Sequence, residues 1–135
     1  PYFGREALQP FLDRVDKGII ILCKTSNPGS GEFQDLIWEK VARNVTEDWN
    51  KNNNCLLVAG ATYPKELGQI RKIVGEMTLL VPGIGSQGGD VEKTVKAGLN
   101  SARAGMIINS SRGIIFSKNP RLETQKLRDE INKYR

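Results

Sequence analysis

The chain has 135 residues, of which 39% are hydrophobic and 26% are charged, and its net charge is +5. This composition is that of one compact globular unit, and it argues against disorder. The basic residues are spread over amphipathic patterns without a basic tract, and no apolar run nears the roughly 20 residues that span a bilayer, so we expect neither a nucleic-acid partner nor a membrane or a signal peptide.

The apolar periods predict alternating helices and strands. An amphipathic helix within residues 2–16 comes first, and it resembles a helix that follows a strand. Four continuous apolar runs then predict parallel strands buried on both faces: 18–23, 55–61, 77–81 and 106–108. Helical spacing of apolar residues follows the first two runs, Pro64 suits the first turn of the second of these helices, and Pro120 opens a last polar helix.

One helix followed by four βα units predicts half of a barrel. Such alternation gives a parallel sheet with right-handed crossovers. A complete (β/α)₈ barrel needs roughly 250 residues, far more than this chain has. We therefore expect an α/β fold that begins at the end of a missing strand, with Ile20, Leu57 and Leu79 among the candidates for exposure on the inner face of the half barrel.

Two adjacent βα turns near the end of the chain predict a phosphate site. Residues 77–90 (MTLLVPGIGSQGGD) and 106–116 (MIINSSRGIIF) each run from a strand into small, hydrogen-bonding residues. Glycines at 83, 85, 88 and 89 allow close backbone approach to an anion, and a helix starting near Asp90 would add its free amides. Arg112 could hold a phosphate in bidentate fashion. In (β/α)₈ barrels, phosphate is commonly held by the loops after the last two strands.

These two turns, and a third turn after the first predicted strand, can also be interpreted as ordinary structural features without a binding role. Residues 83–88 match GxGxxG, but the next strand does not end in the acidic residue that a dinucleotide fold would use. The turn 24–29, KTSNPG, has ordinary turn composition, and only its position at a strand end favours a site. A lone Arg112 is also typical of a surface ion pair.

The cysteine and histidine content limits the kinds of catalytic and metal site that the chain can form. The chain contains no histidine, which excludes Ser-His-Asp and Cys-His catalysis and disfavours a zinc site. Cys23 and Cys55 each lie in an apolar run, so we expect buried free thiols in a reducing cytoplasm.

Taken together, three motifs resemble the orotidine 5′-phosphate decarboxylase family. They are residues 23–29 (CKTSNPG), 81–90 (VPGIGSQGGD) and 110–114 (SSRGI), and residues 1–4 (PYFG) fit the tail of the family's fourth strand. The resemblance covers residues 1–135 as a single partial domain, the C-terminal half of the (β/α)₈ TIM barrel. The TSNPG and NSSRG forms are more similar to a bacterial subgroup with longer chains.

The resemblance implies roles for individual residues. Ser26 would bind the pyrimidine edge, Gln87 would close over the ligand between phosphate and base, and Pro82 would form part of the wall beside the ring. Arg112 would grip the 5′-phosphate together with the backbone amide of Ser111. The phosphate loop would comprise Gly85, Gly88, Gly89 and Gly113.

The resemblance also implies an activity that this chain does not complete. The family is a cytoplasmic carboxy-lyase of pyrimidine biosynthesis that converts orotidine 5′-phosphate to UMP without cofactor or metal. Its Asp-x-Lys-x-x-Asp motif does not occur in this sequence, and residues 13–17, DRVDK, have the wrong spacing. We therefore expect no catalytic residue in this chain, an inactive isolated chain, and a partner that is either the missing N-terminal half or a second copy in a homodimer.

Two other functions remain open at the level of sequence. One is another phosphate-binding TIM-barrel enzyme, such as an isomerase or aldolase of sugar phosphates. The other is a non-catalytic nucleotide-binding module that rearranges into a small doubly wound sheet. An adjacent reading frame that encodes the missing strands and an Asp-x-Lys-x-x-Asp motif would favour the decarboxylase over this module.

Overall fold

The structure is a computed structural model that describes residues 1–85 and 88–135. Its strands form one parallel sheet in the order β1-β2-β3-β4. The strands are β1 Ile19–Lys24, β2 Cys55–Ala59, β3 Leu79–Pro82 and β4 Met106–Asn109. The helices are α1 Gly4–Leu12, α2 Gly31–Asn44, α3 Pro64–Val74, α4 Val91–Gly98, α5 Ser111–Ile115 and α6 Pro120–Asn132. A 3-10 turn, Pro28–Ser30, precedes α2, and a π-helical segment, Val45–Trp49, extends it.

The predicted half barrel, a helix followed by βα units on a parallel sheet, is confirmed. Pro64 and Pro120 each lie in the first turn of their helix, as predicted, because a helix start needs no amide hydrogen there. Asn119 caps α6 by accepting a hydrogen bond from the Leu122 amide at 3.0 Å. Local sequence therefore fixes where these helices begin.

One face of the sheet is covered by helices. Its central row runs from Ile21 through Leu57 and Leu79 to Met106 across all the strands. Leu57 and Leu79 are 0% exposed, and Leu67 and Ile70 of α3 lie in the same core. Full burial of each such side chain contributes about 1.5–3 kcal/mol, so this face supplies most of the hydrophobic stabilisation.

The opposite face of the sheet, called the bare face below, is exposed at the ends of its row, whereas Val58 in the middle is only 9% exposed. The neighbouring row runs Leu22, Val58, Leu80, Ile107, and its two ends are 41% and 49% exposed. Ile20 is also exposed, as expected.

The expectation that Leu57 and Leu79 lie on the exposed inner face is wrong. Both belong to the helix-covered row, where they are completely buried. Side chains alternate between the two faces of a strand, so an error of one residue transfers a side chain to the other face.

Arg71 ties the amino ends of the strands to the helix layer. Its buried guanidinium donates to the carbonyl oxygens of Gly98 at 2.8 Å, Gly75 at 2.6 Å, Met77 at 2.7 Å and Gly105 at 2.8 Å. Burial lowers the pKa of Arg71 from its usual value. The planar fork satisfies several carbonyl groups at once, which a lysine could not do in the same geometry.

Of the remaining structural predictions, the one on the cysteines is confirmed and the one on the buried face of α2 is not. Cys23 and Cys55 are buried free thiols, as predicted. Phe33 and Leu36 have the periodicity of a buried helix face, yet they are 64% and 82% exposed on α2.

Among the helices within residues 1–85 and 88–135, none combines the length and the apolar character needed to cross a bilayer.

Candidate functional site

The turns that follow β1, β2 and β3 are joined by backbone contacts at the carboxyl edge of the sheet. The Gly60 amide donates to the Lys24 carbonyl oxygen at 2.8 Å, which joins the turns after β1 and β2. The Ala61 amide donates to the Pro82 carbonyl oxygen, also at 2.8 Å, which joins the turns after β2 and β3. Ser26 and Pro82, two of the predicted site residues, therefore stand on one connected rim.

The glycine-rich turn after β3 is closed on itself. A bridge pairs Ile84 with Gly89, the Gly89 amide donates to the Gly83 carbonyl oxygen at 3.1 Å, and the Gly88 amide donates to Gly85 at 2.8 Å. Gly85 and Gly88 have φ of +78° and +83°, a region that favours glycine. The amides of Gly88 and Gly89 are thus used within the turn, so these two glycines shape the predicted phosphate loop.

A cavity of about 70 Å³ separates the turns after β3 and β4. Its lining consists of Pro82, Gly83, Ile84, Asn109, Ser110, Ser111 and Arg112. A Cβ on Gly113 would lie 3.0 Å from the Ser110 hydroxyl oxygen, so glycine lets α5 start close to this wall. The structure brings Pro82, Ser111 and Arg112 together around one opening.

Arg112 is the cation at this cavity. Its side chain is exposed in the first turn of α5. Among the residues that the structure describes, no carboxylate lies within 4.0 Å of its guanidinium. In that part of the chain, the Arg112 guanidinium therefore forms no surface ion pair, and it is open to an anion.

The start of α4 differs from the expectation. The Asp90 carboxylate caps the helix by accepting a hydrogen bond from the Lys93 amide at 2.9 Å. That amide hydrogen bond is the main reason why the pKa of Asp90 is lowered. The Lys93 amide is therefore engaged by the helix's own carboxylate and is not free for a phosphate.

Ser26 lies in the turn after β1, apart from the Arg112 cavity, and is 7% exposed. Its carbonyl oxygen accepts a hydrogen bond from the Thr62 hydroxyl at 2.9 Å. A Cβ on Gly60 would lie 2.8 Å from both the amide nitrogen and the Cα of Ser26, so the two backbones touch. Gln87, the other predicted pyrimidine contact, lies outside the described residues.

Sequence reasoning missed the residues that hold the Ser26 turn. The Gln34 side-chain oxygen accepts from the Thr25 amide at 2.8 Å, and the Tyr63 hydroxyl donates to the Asn27 carbonyl oxygen at 3.2 Å. In the sequence, Tyr63 is recognisable only as the residue before the helix that starts at Pro64. Its position directly after β2 was the available signal, because groups at that edge gather around barrel sites.

Metal chemistry has no ligand set in this part of the protein. Within residues 1–85 and 88–135, no group of three or more histidine, cysteine or carboxylate side chains could hold an ion.

Comparison with known proteins shows one family throughout. Residues 1–127 match the family model described as "Orotidine 5′-phosphate decarboxylase / HUMPS family". An orotidine 5′-phosphate decarboxylase of Azoarcus sp. (strain BH72) is 50% identical and is matched over 100% of this chain and 55% of its own length. The chain thus spans about half the length of the curated relatives that it matches.

Solved structures give the same result. The UMP synthase of Leishmania donovani superposes with a TM-score of 0.97 at 42% identity, over 100% of this chain and 32% of that one. The orotidine 5′-monophosphate decarboxylase of Methanocaldococcus jannaschii, complexed with the inhibitor BMP, superposes with a TM-score of 0.80 at 26% identity, over 95% of this chain and 56% of that one.

Proposed function

The chain belongs to the orotidine 5′-phosphate decarboxylase / HUMPS family, and from that premise we propose that it is the nucleotide-binding half of an orotidine 5′-phosphate decarboxylase. The complete enzyme is a cytoplasmic carboxy-lyase that converts orotidine 5′-phosphate to UMP and carbon dioxide. Residues 1–135 constitute a single partial domain, the C-terminal half of the barrel.

The observation that carries this proposal is the exposed Arg112 guanidinium, which has no carboxylate partner among the described residues and stands beside a cavity walled by Pro82 and Ser111. An arginine fork matches the geometry of a phosphate and binds it through two parallel hydrogen bonds. Arg112 binds the 5′-phosphate, the Ser111 amide assists it, and Pro82 lies beside the ring. The tight turn of Gly85, Gly88 and Gly89 brings the backbone close to the same anion.

The pyrimidine end of the ligand extends toward Ser26. Ser26 stands on the same connected rim as Pro82, through the turn after β2. A nucleotide that reaches from Arg112 to Ser26 therefore spans the sheet edge, with Gln87 closing over it. Contacts remote from the reacting carbon contribute binding energy that organises the reacting centre.

The proton-transfer step requires groups that this sequence lacks. When the bond to the carboxylate breaks, its electron pair stays on the ring carbon, and carbon dioxide leaves. That carbon must then take a proton, a step that the Asp-x-Lys-x-x-Asp lysine performs in the family. The motif is absent from these 135 residues, and a second copy of the chain would lack it too, so we assign it to the N-terminal half of the barrel. The reaction as proposed uses no cofactor or metal.

A matched pair of ligands tests the phosphate assignment. Arg112→Ala should weaken UMP binding to the chain by roughly 1.5–3 kcal/mol, the range for a hydrogen bond to a charged group. Uridine, which has no phosphate, should bind equally well to both proteins in calorimetry. Arg43→Ala, which removes an exposed arginine paired with Glu39 on α2, is the control and should leave UMP binding unchanged. Equal losses for UMP and uridine would show that Arg112 is structural.

Reconstitution tests the division of labour. The chain alone should release no carbon dioxide from orotidine 5′-phosphate, and mixing it with a separately expressed N-terminal half should restore turnover. Substrate-dependent carbon dioxide release by the chain alone would refute the assignment of chemistry to the other half.

A further inference from the structure

Lys24 is a buried cation for which the proposed reaction has no use. It is the last residue of β1, and it is 1% exposed. Its ammonium reaches Asp35 of α2 and lies 4.5 Å from the centroid of the Tyr63 ring. Burial of an ammonium ion costs several kcal/mol, and an ion pair with a cation–π contact offsets that cost.

The two partners of this ammonium belong to the elements that hold the Ser26 turn. Gln34, adjacent to Asp35 on α2, accepts from the amide and the hydroxyl of Thr25 at 2.8 and 3.1 Å. The hydroxyl of Tyr63 donates to the Asn27 carbonyl oxygen at 3.2 Å. The residues immediately before and after Ser26 are therefore fixed by the two elements that the lysine joins.

The lysine backbone belongs to the same arrangement. Its carbonyl oxygen accepts from the Gly60 amide at 2.8 Å, and Gly60 lies directly against the Ser26 backbone. Thr62, two residues further on, donates to the Ser26 carbonyl oxygen. A change in the position of Lys24 is thus transmitted to Ser26 through both its side-chain partners and its main chain.

A role of Lys24 in stability and a role in positioning the Ser26 turn predict different effects of its substitution. Replacement of a buried ion pair by apolar side chains of similar volume is often neutral or stabilising. If Lys24 served stability alone, methionine would replace it well. If it sets the turn, methionine leaves a folded protein whose Ser26 turn is loose, because α2 and Tyr63 are no longer joined.

We propose that Lys24 is a positioning residue for pyrimidine recognition, acting through Asp35 and Tyr63 to hold the Ser26 turn in its binding conformation. This inference rests on the proposed function, because the pyrimidine contact of Ser26 is part of that function. It predicts a ligand-specific defect, since the phosphate end of the site is built from other turns.

The binding test compares UMP with ribose 5-phosphate, which presents the phosphate without the base. In the 135-residue chain, Lys24→Met should raise the dissociation constant for UMP about tenfold, the effect of one lost hydrogen bond. The affinity for ribose 5-phosphate and the melting temperature should not change. Tyr63→Phe keeps the ring and removes the hydroxyl bond to Asn27, so it should give a smaller loss of the same kind.

A control variant and a ligand-free measurement complete the test. Lys96→Met removes an exposed lysine paired with Glu92 and should change neither affinity. Hydrogen exchange of the Thr25 amide, which does not depend on any ligand, should be faster in Lys24→Met and Tyr63→Phe. Unchanged exchange, or equal losses of UMP and ribose 5-phosphate, would overturn the positioning role. If the unmutated chain binds neither UMP nor ribose 5-phosphate, but exchange of the Thr25 amide is still faster in the variants, the proposed function is wrong and the positioning of the turn by Lys24 is not.

Discussion

The two faces of the sheet consist of the same kind of residue and lie in opposite environments. On the helix-covered face, Leu57 and Leu79 are 0% exposed. On the other face, Leu22 and Ile107 are 41% and 49% exposed at the ends of their row. Strands that are apolar on both faces are typical of parallel sheets covered on both sides. The bare face therefore has the composition of a barrel interior, and Leu22 and Ile107 at the ends of its row are nearly half exposed.

Thiol labelling should show the largest difference between the two faces. Cys23 lies on the covered side, where burial raises the pKa of its thiol to about 12 from 9.0. Ile107→Cys would place a thiol on the bare face. Because the thiolate is the reactive form, a pKa difference of this size makes the added thiol about a thousandfold more ionised than Cys23 at pH 8. The higher nucleophilicity of the more basic thiolate offsets part of this difference, so the added thiol should react about 30-fold faster or more.

The pH profile of labelling provides an independent check. Above about pH 10, labelling of the added thiol should level off, since a thiol with an ordinary pKa is then almost fully ionised, while labelling of Cys23 in the folded protein should continue to rise toward its higher pKa. Similar rates and similar profiles for the two thiols would mean that the faces are equally accessible in solution.

Alanine substitutions should show the next largest difference. Leu57→Ala on the covered face should cost about 2–5 kcal/mol in the free energy of unfolding, because it leaves a cavity in a packed core. Leu80→Ala in the half-buried row of the bare face should cost roughly half as much, since less apolar surface returns to water. Urea unfolding measures both values, and equal costs would show that the inner face is as well covered as the outer.

A charge on the bare face should have the smallest effect on the isolated chain. Ile107→Lys should change the free energy of unfolding by no more than about 0.5 kcal/mol, as is usual for exposed positions. The same change should prevent reconstitution with an N-terminal half, because it would bury an unpaired ammonium in the completed interior. Unimpaired reconstitution would show that the other half does not cover this face.

The order of the elements could be predicted from the sequence, but the faces of the strands could not. Continuous apolar runs located every strand, and Pro64 and Pro120 located two helix starts. Such runs do not alternate, so nothing in them shows which side chains the helices cover, and Leu57 and Leu79 were placed on the wrong face. Periodicity likewise did not distinguish Phe33, which is exposed, from the buried residues of α2.

The candidate site was predictable where its residues are chemically distinctive. Glycines before a helix and an arginine among small residues indicated the turns that now enclose one cavity. The helix start at Asp90 was predicted to offer free amides, but a residue at that position can cap its own helix, and it does. The binding roles assigned to the site residues stay predictions: Ser26, Pro82, Gln87, Ser111 and Arg112. The supports at Gln34 and Tyr63 depend on contacts between separate elements, which no local pattern encodes.

The contact between Gly60 and Ser26 has a consequence for protein engineering. The two backbones approach so closely that any side chain at Gly60 would overlap the neighbouring turn. Loop grafting that imports a different turn after β1 must therefore import the turn after β2 with it, as a single cassette. A library that randomises residues 24–29 while position 60 stays fixed samples only backbones compatible with this contact, so new conformations of this edge of the sheet should come from varying both turns together.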